Sequence, residues 1–172
     1  MTSKEIRFSH VDRFVAGTVG LPGERAFFLQ VRDSNRLFSL SLEKIQVQAL
    51  AERISILLRE IRISEPLLSF SPLSLDTAPL ETPIDDEFTV GEIAIAFDEN
   101  MKIIEIELDS FQENEDDQEL VRIHIELSLA QADAFAKRSS SLVLAGRPPC
   151  PFCGGPINKN GHLCPRANGY RR

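Results

Sequence analysis

Long apolar runs are missing from these 172 residues, and nothing approaches the ~20 consecutive apolar positions that a membrane-spanning helix needs. Nor does Met1-Thr2-Ser3-Lys4-Glu5 place an apolar segment behind a basic one, so no secretory signal is read and a cytoplasmic location is expected. Catalytic signatures are also lacking: there is no P-loop, dinucleotide fingerprint, G-x-S-x-G elbow or H-E-x-x-H pair. Gly154-Gly155-Pro156 does not open an apolar helix, as a phosphate cradle should. Cysteine is scarce, with three in all and none before Cys150. Clustered thiols in a reducing compartment favour a metal over disulfides. Finally, no Asp or Glu occurs from Ala145 to Arg172, so that segment offers no carboxylate as a general base.

What is present is globular in kind. Hydrophobic residues make up 42% and charged residues 26%, enough for one core of ordinary domain size plus a small appendage. The net charge of −7 is unevenly spread. Asp76 to Leu120 holds 16 acids against Lys102 alone, whereas Arg147, Lys159, Arg166, Arg171 and Arg172 make the last stretch basic. Two solvated faces that attract each other account for this; an anionic partner docking on the tail is the alternative.

The pattern along the chain divides it into a body, 1–146, and a tail, 147–172. Phe14 to Val19 reads as a strand, and Ala26 to Arg32 with Arg36 to Leu42 as a hairpin. Val47, Leu50, Ile54, Leu57, Leu58 and Ile61 then recur at helical spacing. Four prolines between Ser64 and Ile84 indicate a long irregular connection. Phe88 to Phe97, Met101 to Asp109 and Leu120 to Leu127 read as three more strands, with an acidic loop at 112–118, and Ser128-x-x-Gln131 is a capping box that starts a second helix. At an offset of 85, Leu42/Leu127, Gln46/Gln131, Ala49/Ala134, Ala51/Ala136 and Arg53/Arg138 are identical. The expectation is an α+β fold: an antiparallel sheet from two strand-strand-strand-helix repeats, about 13–62 and 87–145, with two helices on one face. Alternation along Met101 to Asp109 and Leu120 to Leu127 places acids beside Arg122 and His124 as cross-strand ion pairs on the wet face, and gives neither His124 nor His10 a catalytic role.

The tail carries the chemistry. Cys150 and Cys153 lie in a Pro/Gly-rich turn at the x2 spacing that lets two thiolates share one tetrahedral ion. His162 and Cys164 follow, separated by one residue, and reach the same ion only if the chain turns sharply, which Gly161 and Pro165 favour. Structural zinc is therefore expected on Cys150, Cys153, His162 and Cys164, in a small zinc-knuckle-like tail with few apolar residues of its own. His162 could instead donate a hydrogen bond to a thiolate.

The strings Gly146-Arg147-Pro148-Pro149-Cys150-Pro151-Phe152-Cys153-Gly154, Gly161-His162-x-Cys164-Pro165-Arg166, Arg13-Phe14-Val15-Ala16-Gly17-Thr18-Val19-Gly20 and Ala49-Leu50-Ala51-Glu52-Arg53 resemble an uncharacterised actinobacterial family called domain of unknown function 3090. That resemblance implies no established activity. The residues themselves favour a non-catalytic binding or regulatory protein that presents its zinc-stabilised tail to a protein partner through Arg166, Tyr170, Arg171 and Arg172. Nucleic acid is a weaker alternative partner because the acidic body repels phosphates. An enzyme, the other alternative, would need a pocket assembled from dispersed residues.

Overall fold

Two runs of strands, each closed by a helix, form the body of the computed structural model, which describes residues 3–21, 23–112, 119–146, 149–157 and 161–167. The first run comprises β1 (Ser3–Phe8), β2 (Arg13–Val19), β3 (Ala26–Asp33) and β4 (Arg36–Leu42), followed by α1 (Lys44–Ser64). The second comprises β5 (Asp86–Asp98), β6 (Ile103–Ser110) and β7 (Leu120–Ser128), followed by α2 (Leu129–Leu144). Alternation makes the strands: Ile104, Ile106 and Leu108 of β6 and Ile123, Ile125 and Leu127 of β7 are all buried, while the residues between them face solvent or form ion pairs. Apolar spacing makes the helices, and α1 buries Val47, Leu50, Ala51, Ile54, Leu58 and Ile61. Residues 113–118, most of the expected acidic loop, lie outside the described residues.

The sheet is mixed, which corrects the antiparallel expectation. Its order is β1-β7-β6-β5-β4-β3-β2, and the hairpin neighbours are antiparallel, but β1 runs parallel to β7 and β4 parallel to β5. A helix and a long connection separate β4 from β5, and such a crossover permits parallel pairing where a tight turn forbids it. β1 itself was not expected as a strand.

The sheet also curls. Its two edge strands, β1 and β2, are consecutive in the chain and joined only by Ser9–Asp12. Flat, the edges of seven strands would stand about 29 Å apart, farther than the ~18 Å those few residues span. Contacts confirm the bend: Phe8 of β1 meets Phe38 of β4 edge-on at 5.2 Å although three strands lie between them in the order, and the Arg36 guanidinium sits 4.6 Å from the Phe8 ring centre. Inside the curl a hydrophobic cluster unites the inner faces of the strands with both helices, and Phe135 of α2 stacks on Phe14 of β2 at 4.5 Å.

The helices enter this core by the same device. Gln46 Oε1 accepts from the Glu43 N–H at 2.8 Å, and Gln131 Oε1 accepts from the Ser128 N–H at 2.9 Å. Each amide then donates onward, Gln46 Nε2 to the carbonyls of Val90 and Gly91 and Gln131 Nε2 to the Val11 carbonyl. In both cases the helix start is tied to the chain that runs beside the preceding strand.

The irregular connection is irregular as expected, yet it is firmly held. Arg13 donates to the Asp76 carboxylate at 2.6 Å and to the carbonyls of Ala78 and Pro79, and Arg138 donates to Asp76, Ala78 and Ala16. Gln30 exchanges two bonds with the Glu81 backbone. Leu80 lies over Gly17, where a Cβ would collide with it. The Arg13 hydrogen bond, ahead of the Ala78 N–H and the charge of Arg138, holds the Asp76 carboxyl below the usual carboxylate range. Stability from a lowered carboxyl is present above its unfolded value, near pH 4, and is lost as the pH falls through the lower folded value. Asp76→Asn is expected to cost about 1–2 kcal/mol at neutral pH, moderated by partial exposure of the carboxylate. The gap from wild type should close in acid. A gap independent of pH from 7 to 2 in chemical denaturation would show that the charge of Asp76 contributes nothing.

Candidate metal centre

Two tight turns make the tail. In the first, the Cys150 N–H donates to the Gly155 carbonyl at 2.7 Å, the Gly154 N–H donates back to the Cys150 carbonyl at 2.8 Å, and Pro149 bridges Pro156. Gly154 holds φ at +73°, a backbone state that a side chain would strain. In the second, Gly161 at φ +82° turns the chain so that His162 and Cys164 aim the same way, and the Ala167 N–H closes on the Cys164 carbonyl. Backbone amides also serve the sulfurs: the Phe152 N–H lies 3.4 Å from Cys150 Sγ and the Ala167 N–H 3.3 Å from Cys164 Sγ. These are the donors a thiolate ligand needs around it.

The side chains converge. Cys150, Cys153, His162 and Cys164 place their ligand atoms within 4.8 Å of one another. Cys150 Sγ and Cys164 Sγ are 3.8 Å apart, and Cys153 Sγ is 3.2 Å from His162 Nε2. Metal–sulfur bonds of about 2.3 Å at the tetrahedral angle separate two sulfurs by about 3.8 Å, and a shorter bond to nitrogen gives a sulfur–nitrogen edge of about 3.6 Å. The sulfur–sulfur edge matches such a shell, the sulfur–nitrogen edge is somewhat shorter, and the four groups lie close enough together to hold a metal ion. Cys150 and Cys164 are buried, Cys153 and His162 half-buried.

Protonation fits the same reading. The Cys153 amide, then that of Phe152, draws the Cys150 thiol below its ordinary range. Cys153 moves the other way: the Gly155 amide favours its thiolate, but burial and the adjacent sulfurs outweigh that and raise it. Sulfurs this close resist full ionisation until a cation joins them, and a divalent ion supplies that charge.

The family described as Protein of unknown function (DUF3090) matches residues 6–164, a span that ends on the last candidate ligand. The chain belongs to that family. The match begins within β1 and takes in the other strands, both helices and all four candidate ligands. No curated protein and no solved structure matches the chain.

The remaining candidates separate. Arg166 is exposed, and its guanidinium donates to the Phe152 carbonyl at 3.1 Å, linking the two turns. Tyr170, Arg171 and Arg172 lie outside the described residues. Two side chains that the sequence reading passed over stand out on the knuckle: Phe152 is 63% exposed and Leu163 87%. Each is a large apolar residue directly beside a candidate ligand, which was the available signal. On the body, Arg122 pairs with Asp109 and Glu107, and His124 Nδ1 lies 3.4 Å from Glu107, as the strand alternation led one to expect. Glu107 and His124 border an open depression of about 310 Å³ on the outer face of the sheet, together with Arg7, Glu105 and Glu126. The buried carboxylate of Asp109 is engaged by Arg122, and that of Asp133 by Lys137 at 2.6 Å.

Proposed function

We propose that this protein is a non-catalytic binding or regulatory factor of the cytoplasm, whose C-terminal knuckle holds structural zinc and presents its surface to a protein partner. The observation that carries the proposal is the Cys3His cluster: with an ion bound, its four candidate ligands would fill a tetrahedral shell and leave no position for substrate. Zinc is the ion that three thiolates and an imidazole suit best. Exposed Phe152 and Leu163 offer apolar anchors, exposed Arg166 adds a cation, and Tyr170, Arg171 and Arg172 follow in the sequence as further contact residues. Reduced thiols fit the cytoplasm. The body serves as scaffold, and the shared entry of its two helices supports descent of both halves from one strand-strand-strand-helix unit.

The test is quantitative capture from native lysate by immobilised chain, comparing wild type with Phe152→Ser/Leu163→Ser. A partner lost by the double variant at unchanged metal content and melting temperature is expected. Equal capture by both proteins would remove the knuckle as the docking surface.

A further inference from the structure

Corresponding clefts lie beside the two helices, one covered and one open. With Gln46 and Gln131 as the register, Ala49, Leu50 and Arg53 of α1 stand where Ala134, Phe135 and Arg138 stand on α2. Between α2 and β2 the chain fills its own cleft: Leu73 and Asp76 border it, Arg138 reaches the Asp76 carboxylate at 3.1 Å, and about 90 Å³ is left. Between α1 and β5 the same helix positions border a cleft of about 400 Å³, floored by Leu50, Ile93 and Ile95. Arg53 is its one charged lining residue, is exposed, and has no carboxylate partner among the described residues.

Backbone is available there as well. β4 pairs with β5 only at Asp86 and Thr89, so Ile93 to Asp98 are paired on one side, by β6. An unpaired strand edge beside an apolar floor and a cation suits an extended chain segment, with backbone bonds giving affinity and side-chain pockets giving selectivity. Arg53 is the one cation in the lining, so the open cleft matches a single carboxylate.

We propose that the α1–β5 cleft docks an extended segment of a partner protein that runs along β5, sets an apolar side chain on Leu50, Ile93 and Ile95, and places an Asp or Glu on Arg53. Leu73 and Asp76 on the other half are the pattern for that occupant. The cleft belongs to the body and is independent of the metal knuckle.

The probe is a fluorescein-labelled peptide copying residues 71–80, titrated with the full chain and read by anisotropy. Saturable binding is expected, weakened about tenfold or more by Arg53→Glu and to a similar degree by Asp76→Lys within the peptide, and recovered when the two changes are combined. Because Arg53 is exposed, Arg53→Glu should leave the melting temperature unchanged. No binding at millimolar peptide, or binding indifferent to Arg53→Glu, overturns the proposal. Sedimentation velocity of the chain alone supplies the other arm: self-association abolished by Arg53→Glu would assign the cleft to a second copy and overturn the partner-segment assignment.

Discussion

Elemental analysis of the purified chain should return one zinc per molecule, and Cys150→Ser should take it close to zero. Structural zinc sites are held by about 10–16 kcal/mol of apparent binding energy in small peptides, and that energy is also the folding energy of the segment. Cys150 is the ligand whose loss should cost most. It is buried, its thiolate is favoured by two backbone amides, and its own N–H and carbonyl close the first turn with Gly155 and Gly154. Serine offers a harder, poorly ionised oxygen in its place. Few apolar side chains support residues 149–167 otherwise, so the knuckle should lose its amide protection from hydrogen exchange when the metal is removed. The body has its own hydrophobic cluster and should keep its cooperative melt after chelation. Parallel loss of protection in β3 and the knuckle would contradict that separation, and zinc retained at full stoichiometry in Cys150→Ser would remove Cys150 from the site.

Local signals made parts of this architecture readable and left others hidden. α2 was legible to the residue, because Ser128-x-x-Gln131 marks its start and apolar spacing continues to Leu144. The metal cluster was legible because ligand chemistry and turn residues sit within fifteen positions, Cys150 to Cys164. β1 was not: Ser3–Phe8 has only Ile6 and Phe8 as apolar residues, and its partner β7 lies more than a hundred residues away. Parallel pairing leaves no trace in a hairpin signal, so the mixed character of the sheet was out of reach for the same reason. In the sequence Asp76 is one acid among sixteen, and Arg138 stands out only as the match to Arg53. Their importance arises from burial: the Arg138 side chain is only 13% exposed, and burial lowers its pKa even beside Asp76. A largely buried guanidinium needs partners for its donors, and it finds them in the carbonyls of Ala16, Asp76 and Ala78 and in the Asp76 carboxylate.

Phe135→Ala should be the most damaging single substitution on α2, costing about 3–5 kcal/mol, because it removes a wholly buried ring. That ring stacks on Phe14, and Phe14 belongs to the edge strand that the curl brings back to the helices. Truncation thus opens a cavity where α2 meets β2, under the connection pinned by Arg13 and Arg138, and the surrounding elements are too well tied to collapse into it. Leu50→Ala is the matched control. Leu50 occupies the corresponding position on α1 and is equally buried, but it borders the open cleft, where water and side chains can adjust, so its loss should fall near 2–3 kcal/mol. For a chain of this size the larger loss corresponds to a fall in melting temperature on the order of 10 °C. Calorimetry and urea unfolding of the two variants decide the matter: costs equal within error, or a larger cost for Leu50→Ala, would mean that the Phe14–Phe135 contact does not anchor the closure of the sheet.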